Sequence, residues 1–171
     1  MSGWACARHP IVWPWLVLGL LVAGSDRQAT AGTERLAVAD FDFIDSSNEP
    51  VDRSVVHAAR IATFSRSLRD HLAGQGRFVV LRPACGQERC SAGAMPDGDL
   101  VRWARDHDAR FLAFGGVQKA STLVQWARAE VVDLRTGRVV FQRLLSFRGD
   151  TDEAWRHAER FLARALADLP P

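Results

Sequence analysis

The sequence predicts an α/β domain with a mixed five-stranded sheet, in the strand order 2-1-3-4-5, and three helices on two faces. Two observations support this class. Short apolar runs alternate with amphipathic helical patterns early in the chain, which is typical of parallel strands joined by right-handed crossover helices. Two long strand-like runs joined by a turn then indicate an antiparallel meander, and a last helical stripe follows.

The first 31 residues have the pattern of a secretory signal peptide. Arg8 precedes an apolar run over 11–24, and an Ala-Thr-Ala cleavage motif lies at 29–31. A membrane anchor is the alternative, but the apolar run has 14 residues, contains Pro14 and is shorter than the roughly 20 residues of a spanning helix. We therefore expect a soluble protein exported to the periplasm, with no membrane span after cleavage.

Cleavage would leave residues 32–171 as a single α/β domain. Its net charge would fall from +2 to +1, because the removed segment holds two arginines and one aspartate. The remaining arginines are interleaved with acids, so no basic stripe indicates nucleic acid as a partner. Cys85 and Cys90 favour a local disulfide in an oxidising compartment, with a redox pair or half of a metal site as the alternatives.

The individual elements follow from hydropathy patterns. The first strand, Leu36 to Phe43, is short, apolar at its start and followed by a turn-rich segment, and we expect it at the centre of the sheet. A helix over 52–73 comes next, because apolar residues recur there at helical spacing. The remaining predicted elements are a strand over 78–81, a helix capped by Asp97 or Asp99 that ends near Ala109, a strand over 111–117, strands over 123–134 and 138–147, and a helix with the capping box Asp150 and Glu153.

Carboxylates cluster at the end of the first strand, where ligands most often bind in open α/β sheets. Asp40, Asp42 and Asp45 are weak candidates for a cation site, since hard cations prefer several oxygen ligands. The spacing fails the EF-hand pattern. Asp40 and Asp42 share a strand face, where a hydrogen-bonded carboxylate and a turn-forming carboxylate are the ordinary interpretation, so no metal is expected.

The turn after the third strand carries Lys119 and Ser121. They are two residues apart, so on one strand face they could form a pair of base and nucleophile. The sequence shows neither an oxyanion hole nor a reason for a neutral lysine, so no catalytic residue is assigned. We expect instead a polar turn that contacts a ligand or partner together with Asp42, Asp45 and Trp126.

Three other features have ordinary interpretations. Gly115 and Gly116 fit no phosphate-binding motif, so we expect them to pack against a helix, and no cofactor is expected. His57 and His71 are expected at helix surfaces or boundaries. The tripeptide Arg148-Gly149-Asp150 resembles an adhesion motif but is expected to connect a strand to a capped helix.

Three stretches carry a family resemblance: Leu-Ala-Val-Ala-Asp-Phe-Asp-Phe at 36–43, the segment 115–126 and the segment 147–155. They resemble a bacterial family of exported conserved proteins known as a domain of unknown function. The layout is also similar to the amino-terminal domain of the translocation protein TolB and to curli-secretion and penicillin-binding-protein-activator lipoproteins. The resemblance implies a periplasmic module that binds other proteins, although the lipid-anchoring cysteine and the β-propeller of those relatives are absent.

Our leading hypothesis is a periplasmic accessory protein without catalysis, which binds another periplasmic or envelope protein through the sheet edge or an exposed helix. The alternative is a binder of a small ligand or cation at the carboxyl edge of the sheet, through the same aspartates and Ser121. A hydrolase is the third hypothesis, although the sequence shows no recognisable set of catalytic residues.

Overall fold

A computed structural model of the protein describes residues 33–86 and 89–169. The predicted signal peptide lies outside the described residues. No helix in those two ranges is long and apolar enough to cross a membrane. The strands are β1 (Glu34–Val38), β2 (Asp42–Asp45), β3 (Phe78–Leu81), β4 (Phe111–Lys119), β5 (Val124–Asp133) and β6 (Arg138–Arg148), and the helices are α1 (Ser54–Gly74), α2 (Asp99–Asp106) and α3 (Asp152–Ala167).

The predicted mixed α/β architecture with three helices and an open sheet is confirmed. The predicted count of five strands is wrong, and the order differs in detail. In the described part of the chain, six strands form the sheet: five follow the order β3-β1-β4-β5-β6, and the additional strand β2 pairs with β4 off this path. The pairs of β1 with β3, β1 with β4 and β2 with β4 are parallel, whereas β4, β5 and β6 are antiparallel neighbours.

The sixth strand arises because the predicted first strand is interrupted. Val38 lies opposite Ala113, whereas Asp42 lies opposite Gly116, so one extra residue is accommodated between β1 and β2. Within this interruption, backbone groups form hydrogen bonds outside the sheet. The Phe41 amide, for example, donates to Ser65 Oγ on α1 at 2.9 Å. An extra residue of this kind locally disrupts strand pairing and redirects the side chains that follow it.

The helices lie on two faces of the sheet, as predicted, and they cover these faces unequally. On one face α1 and α3 pack together over apolar side chains from β1, β4 and β5; we call it the covered face. On the other face the eight-residue α2 packs over a smaller cluster near the starts of β1 and β4. The covered face is lined by residues such as Leu36, Val38, Phe64, Leu68, Val117, Trp155, Leu162 and Leu166.

The helix ends differ from the predicted caps. Thr151, and not Asp150, is the N-cap of α3, and its side chain accepts a hydrogen bond from the Ala154 amide. Asp150 instead forms an ion pair with Arg148. The N-cap of α2 is Gly98, in a left-handed conformation with φ of 85°, so neither predicted aspartate caps that helix.

Gly115 and Gly116 are tightly packed, although not against a helix as predicted. A Cβ atom on Gly115 would lie 2.1 Å from the Arg128 carbonyl oxygen on β5 and 2.8 Å from the Phe41 ring. Gly116 is close to Asp42 on β2. Both glycines therefore serve the close approach of neighbouring backbone and side chains within the sheet.

Candidate functional site

The face opposite α1 and α3 is uncovered beyond α2. Along β4 and β5 the side chains that point to this face alternate with core residues, as the two-residue period of a strand requires. Trp126 is 43% exposed near the middle of the sheet, between Ile44 at 60% and Leu144 at 65%. We call this surface the open face, and define it by Ile44, Phe114, Gln118, Trp126, Arg128 and Leu144.

Strand register brings these side chains together. Gln118 lies opposite both Ile44 on β2 and Trp126 on β5, and Arg128 lies opposite Leu144 on β6. The resulting groove encloses about 910 Å³ and runs across four strands. Its lining combines two aromatic rings, aliphatic side chains, two amides, a guanidinium group and the carboxylates of Asp42 and Glu130. Aromatic residues and arginine are enriched at protein interfaces.

Asp42 lies at one end of the open face, and each of its carboxylate oxygens accepts a hydrogen bond from the segment after the disulfide. Its Oδ1 accepts a hydrogen bond from Ser91 Oγ, and its Oδ2 accepts one from the Gly93 amide at 2.8 Å. Arg89 contributes a guanidinium 3.6 Å from Oδ1. Asp42 therefore holds this segment against β2.

Asp40 holds the same segment from another side. Its Oδ1 accepts a hydrogen bond from Arg69 at 2.9 Å, and its Oδ2 accepts one from the Cys90 amide at 3.1 Å. The predicted disulfide between Cys85 and Cys90 is present and closes the small loop at this point. The break between β1 and β2 thus separates two aspartates that the sequence placed on one strand face.

Lys119 and Asp45 lie on the covered face, away from Trp126. Lys119 is 2% exposed, and its Nζ donates to Glu49 Oε2 at 2.8 Å and to Asp45 Oδ2 at 3.2 Å. Burial opposes the charge on Lys119, but the hydrogen bonds to Glu49 and Asp45 outweigh it and raise the pKa. Hydrogen bonds from Ser47, with a smaller contribution from Lys119, lower the pKa of Asp45 to about 2.

Lys119 and Ser121 are not arranged as a base and nucleophile. A lysine general base must be neutral, whereas the pKa of Lys119 is raised and its ammonium is paired with two carboxylates. Ser121 Oγ accepts a hydrogen bond from the Val124 amide in the turn between β4 and β5. These contacts give both residues structural roles.

The aspartates do not converge on a common point. The carboxylates of Asp40 and Asp42 bind Arg69, Ser91 and backbone amides, and Asp45 lies on the other face. Within residues 33–86 and 89–169, no group of three or more His, Cys, Asp or Glu side chains is arranged to hold a metal ion.

His57 lies in the first turn of α1, at a helix boundary as predicted, but its side chain is buried and not at the surface. It is 3% exposed and stacks on Phe43 with ring centroids 4.6 Å apart. Neither ring nitrogen has a hydrogen-bond partner among the described residues. Burial, with the nearby charges of Lys119 and Arg60, lowers the pKa of His57. His71 is half exposed and contacts the buried carboxylate of Glu159 at 2.8 Å.

Arg148-Gly149-Asp150 connects β6 to α3, as predicted. The Gly149 carbonyl accepts hydrogen bonds from Arg60, Gln125 and Trp155. This tripeptide is therefore held at the junction of α1, α3 and the sheet.

Sequence reasoning identified Trp126 but missed Ile44, Arg128 and Leu144, which complete the open face. The signal was present in β5, where Val124, Trp126 and Arg128 alternate with the buried residues Gln125 and Ala127. That alternation separates the two sides of the strand. It does not tell which side a helix covers, because that depends on the length and position of α2.

The fold is similar to that of several bacterial proteins of known structure. The PelC dodecamer from Paraburkholderia phytofirmans has 19% sequence identity and a TM-score of 0.50, over 78% of this chain and 85% of that chain. The C-terminal domain of LpoB from Escherichia coli has 13% identity and a TM-score of 0.48, over 67% and 82%. TolB from Acinetobacter baumannii has 11% identity and a TM-score of 0.45, over 81% of this chain and 29% of that chain. At 19% identity and a TM-score of 0.50, the likeness to PelC shows a similar fold.

No curated protein matches the chain. The family model DUF3280, described as "Protein of unknown function (DUF2380)", matches residues 34–166, which include all six strands and nearly all of α3. The resemblance predicted from the sequence, to a domain of unknown function and to TolB and penicillin-binding-protein activators, is confirmed. The chain belongs to the DUF3280 family.

Proposed function

We propose that this protein is a non-enzymatic accessory protein of the bacterial periplasm that binds another envelope protein through its open face. The observation that carries the proposal is the exposure of Trp126, Ile44 and Leu144 in one groove of the sheet. Contiguous exposed apolar surface of this kind marks interaction sites in soluble domains. Tryptophan and arginine, both present here, are enriched among residues that dominate binding energy.

The contacts of the polar residues also support binding over catalysis. Lys119 is buried in ion pairs, and each carboxylate oxygen of Asp42 accepts a hydrogen bond from the segment after the disulfide. Lys119 and Asp42 therefore each have structural partners. The open face, by contrast, leaves the apolar side chains of Ile44, Trp126 and Leu144 exposed.

The periplasmic location is supported by two features. The signal-peptide pattern over 1–31 predicts export. The Cys85–Cys90 disulfide suits an oxidising compartment, since such bonds are rare in reducing ones.

Site-specific photo-crosslinking in intact cells tests the proposal. A benzophenone amino acid would replace Trp126 in one variant and Phe161, which is 47% exposed on α3, in the control. We expect one discrete adduct from position 126, identified by mass spectrometry, and none of that mass from position 161. Adducts of equal yield from both positions, or none from position 126, would contradict binding through the open face. An adduct of twice the chain mass would identify self-assembly as the use of this surface.

A further inference from the structure

The long edge of the sheet has an unusual charge pattern. β6 pairs with β5 on one side, and no described strand pairs with its other side. It has eleven residues, about twice the usual length of a strand, and seven of them are exposed. The opposite edge strand, β3, has four residues and no charge. The unpaired edge of β6 offers a further strand a row of main-chain donors and acceptors, which is regular from Phe141 to Arg148 and has one extra residue at Val140.

All three charged residues of β6 are arginines. Arg138, Arg143 and Arg148 are evenly spaced at its start, middle and end, and the strand contains no acidic residue. Arg148 forms an ion pair with Asp150, whereas Arg138 and Arg143 have no ion pair with a described residue. Arg143 lies along the edge with its guanidinium 6.0 Å from the centre of the Phe141 ring. The edge therefore carries unneutralised positive charge at two of three positions.

This spacing selects against pairing between two copies of β6. In a fully overlapped antiparallel pair of these strands, Arg138 would face Arg148 and Arg143 would face itself. Like charges directly opposite each other destabilise a strand pair, whereas opposite charges stabilise it. In that register a second copy of the edge is disfavoured, most of all at Arg143, which would face its own copy. A strand with acids opposite Arg138 and Arg143 is favoured at both positions.

Apolar side chains beside these arginines add a second source of affinity. Val139 is 54% exposed and Leu144 is 65% exposed, and Leu144 also belongs to the open face. A strand added to β6 would extend the sheet and would cover the outer side of that groove. Main-chain hydrogen bonds supply affinity in this mode of recognition, and alternate side chains supply specificity.

We infer that β6 is a docking edge for an extended segment of a partner protein that carries acidic residues spaced to meet Arg138, Arg143 and Arg148. The inference rests on the proposed protein-binding function and adds the conformation and charge of the partner segment. It follows from the unpaired main chain of β6, its uniformly basic charge and the exposed apolar residues that adjoin it.

The test uses a synthetic fluorescent peptide of the same length as β6, with a glutamate at each end and at the centre and alternating threonine and valine between them. Fluorescence polarisation would give its Kd for the purified protein. Two further peptides are N-methylated at every second backbone nitrogen, one at the odd and one at the even positions. A fourth peptide carries lysine in place of each glutamate. We expect the glutamate peptide to bind, the lysine peptide to bind at least tenfold more weakly, and one methylated phase to lose binding.

Two protein variants complete the test. Arg143→Glu should raise the Kd of the glutamate peptide about tenfold, because it replaces an attractive cross-strand pair with a repulsive one. Arg66→Glu, the same charge change at an exposed position of α1, should leave the Kd unchanged. Thermal unfolding would show whether both variants are folded.

Three outcomes would overturn the inference. They are the absence of binding by the glutamate peptide, an unchanged Kd for Arg143→Glu, and equal binding by the unmethylated peptide and both methylated peptides. The last outcome would identify a flexible polyanion, and not an added strand, as the class of ligand. A discrete adduct at position 126 together with any of these results would retain the proposed function and reject β6 as its docking edge.

Discussion

The two faces of the sheet use charged and apolar side chains in opposite ways. On the covered face, Lys119 is buried and paired, and Leu162 is fully enclosed between helix and sheet. On the open face, Trp126 and Leu144 are exposed, and the guanidinium of Arg128, paired with Glu130, is exposed as well. The stability of the fold therefore depends on the covered face, whereas the exposed side chains of the open face are available to bind a partner.

The largest expected effect comes from making one substitution on each face. Leu162→Ala should lower the free energy of unfolding by about 3 kcal/mol, because it leaves a cavity between α3 and the sheet. Leu144→Ala should cost less than about 1 kcal/mol, because that side chain is already 65% exposed. Urea unfolding measures both values. Equal losses in the two variants would show that the open face is part of the core.

A smaller effect is expected at the buried ion pairs of Lys119. Lys119→Met should lower the free energy of unfolding by about 2 kcal/mol at neutral pH, since Glu49 would lose its cation in a half-buried setting. The pKa of Asp45 is lowered to about 2 from 3.8, so its contribution is present above pH 3.8 and is lost as the pH falls toward 2. Urea unfolding across that range should show a shallower acid loss in the variant than in the natural protein. An identical pH profile would mean that Lys119 does not interact with Asp45.

The smallest effect concerns His57. Because its pKa in the folded state lies below the ordinary 6.5, the unfolded chain takes up the proton first as the pH falls. Stability should therefore be fully present above pH 6.5 and should decline below it. His57→Phe, which keeps an aromatic ring against Phe43, should reduce this decline. Thermal unfolding at pH 7 and pH 5 measures it, and an undiminished decline in the variant would assign the pH dependence to other groups.

Much of the covered face could be predicted from the sequence, because its helices are amphipathic and its strands are apolar. Ile61, Phe64, Leu68 and Leu72 recur at helical spacing in α1 and all four are buried. Local periodicity of this kind survives in the fold because both strands and helices must bury one side. The disulfide could be predicted equally well, since it joins two cysteines that are close in the sequence.

The candidate site was harder to predict because its geometry depends on contacts between distant parts of the chain. Lys119 meets Asp45 and Glu49 across more than 65 residues, so a residue expected in a polar turn is buried instead. The break at Asp40 depends on Ser65 and on the segment after the disulfide. Trp126 is exposed because α2 is short, which no pattern within β5 reveals.

The measurement that tests the central claim most directly is a titration of the partner recovered by crosslinking against two variants. Trp126→Ala should weaken binding about thirtyfold, as expected for an aromatic anchor, with the free energy of unfolding changed by less than about 1 kcal/mol. Phe161→Ala, which removes an exposed aromatic ring from α3, should leave affinity unchanged. An unchanged affinity for Trp126→Ala, or an equal loss in both variants, would contradict the assignment of recognition to the open face.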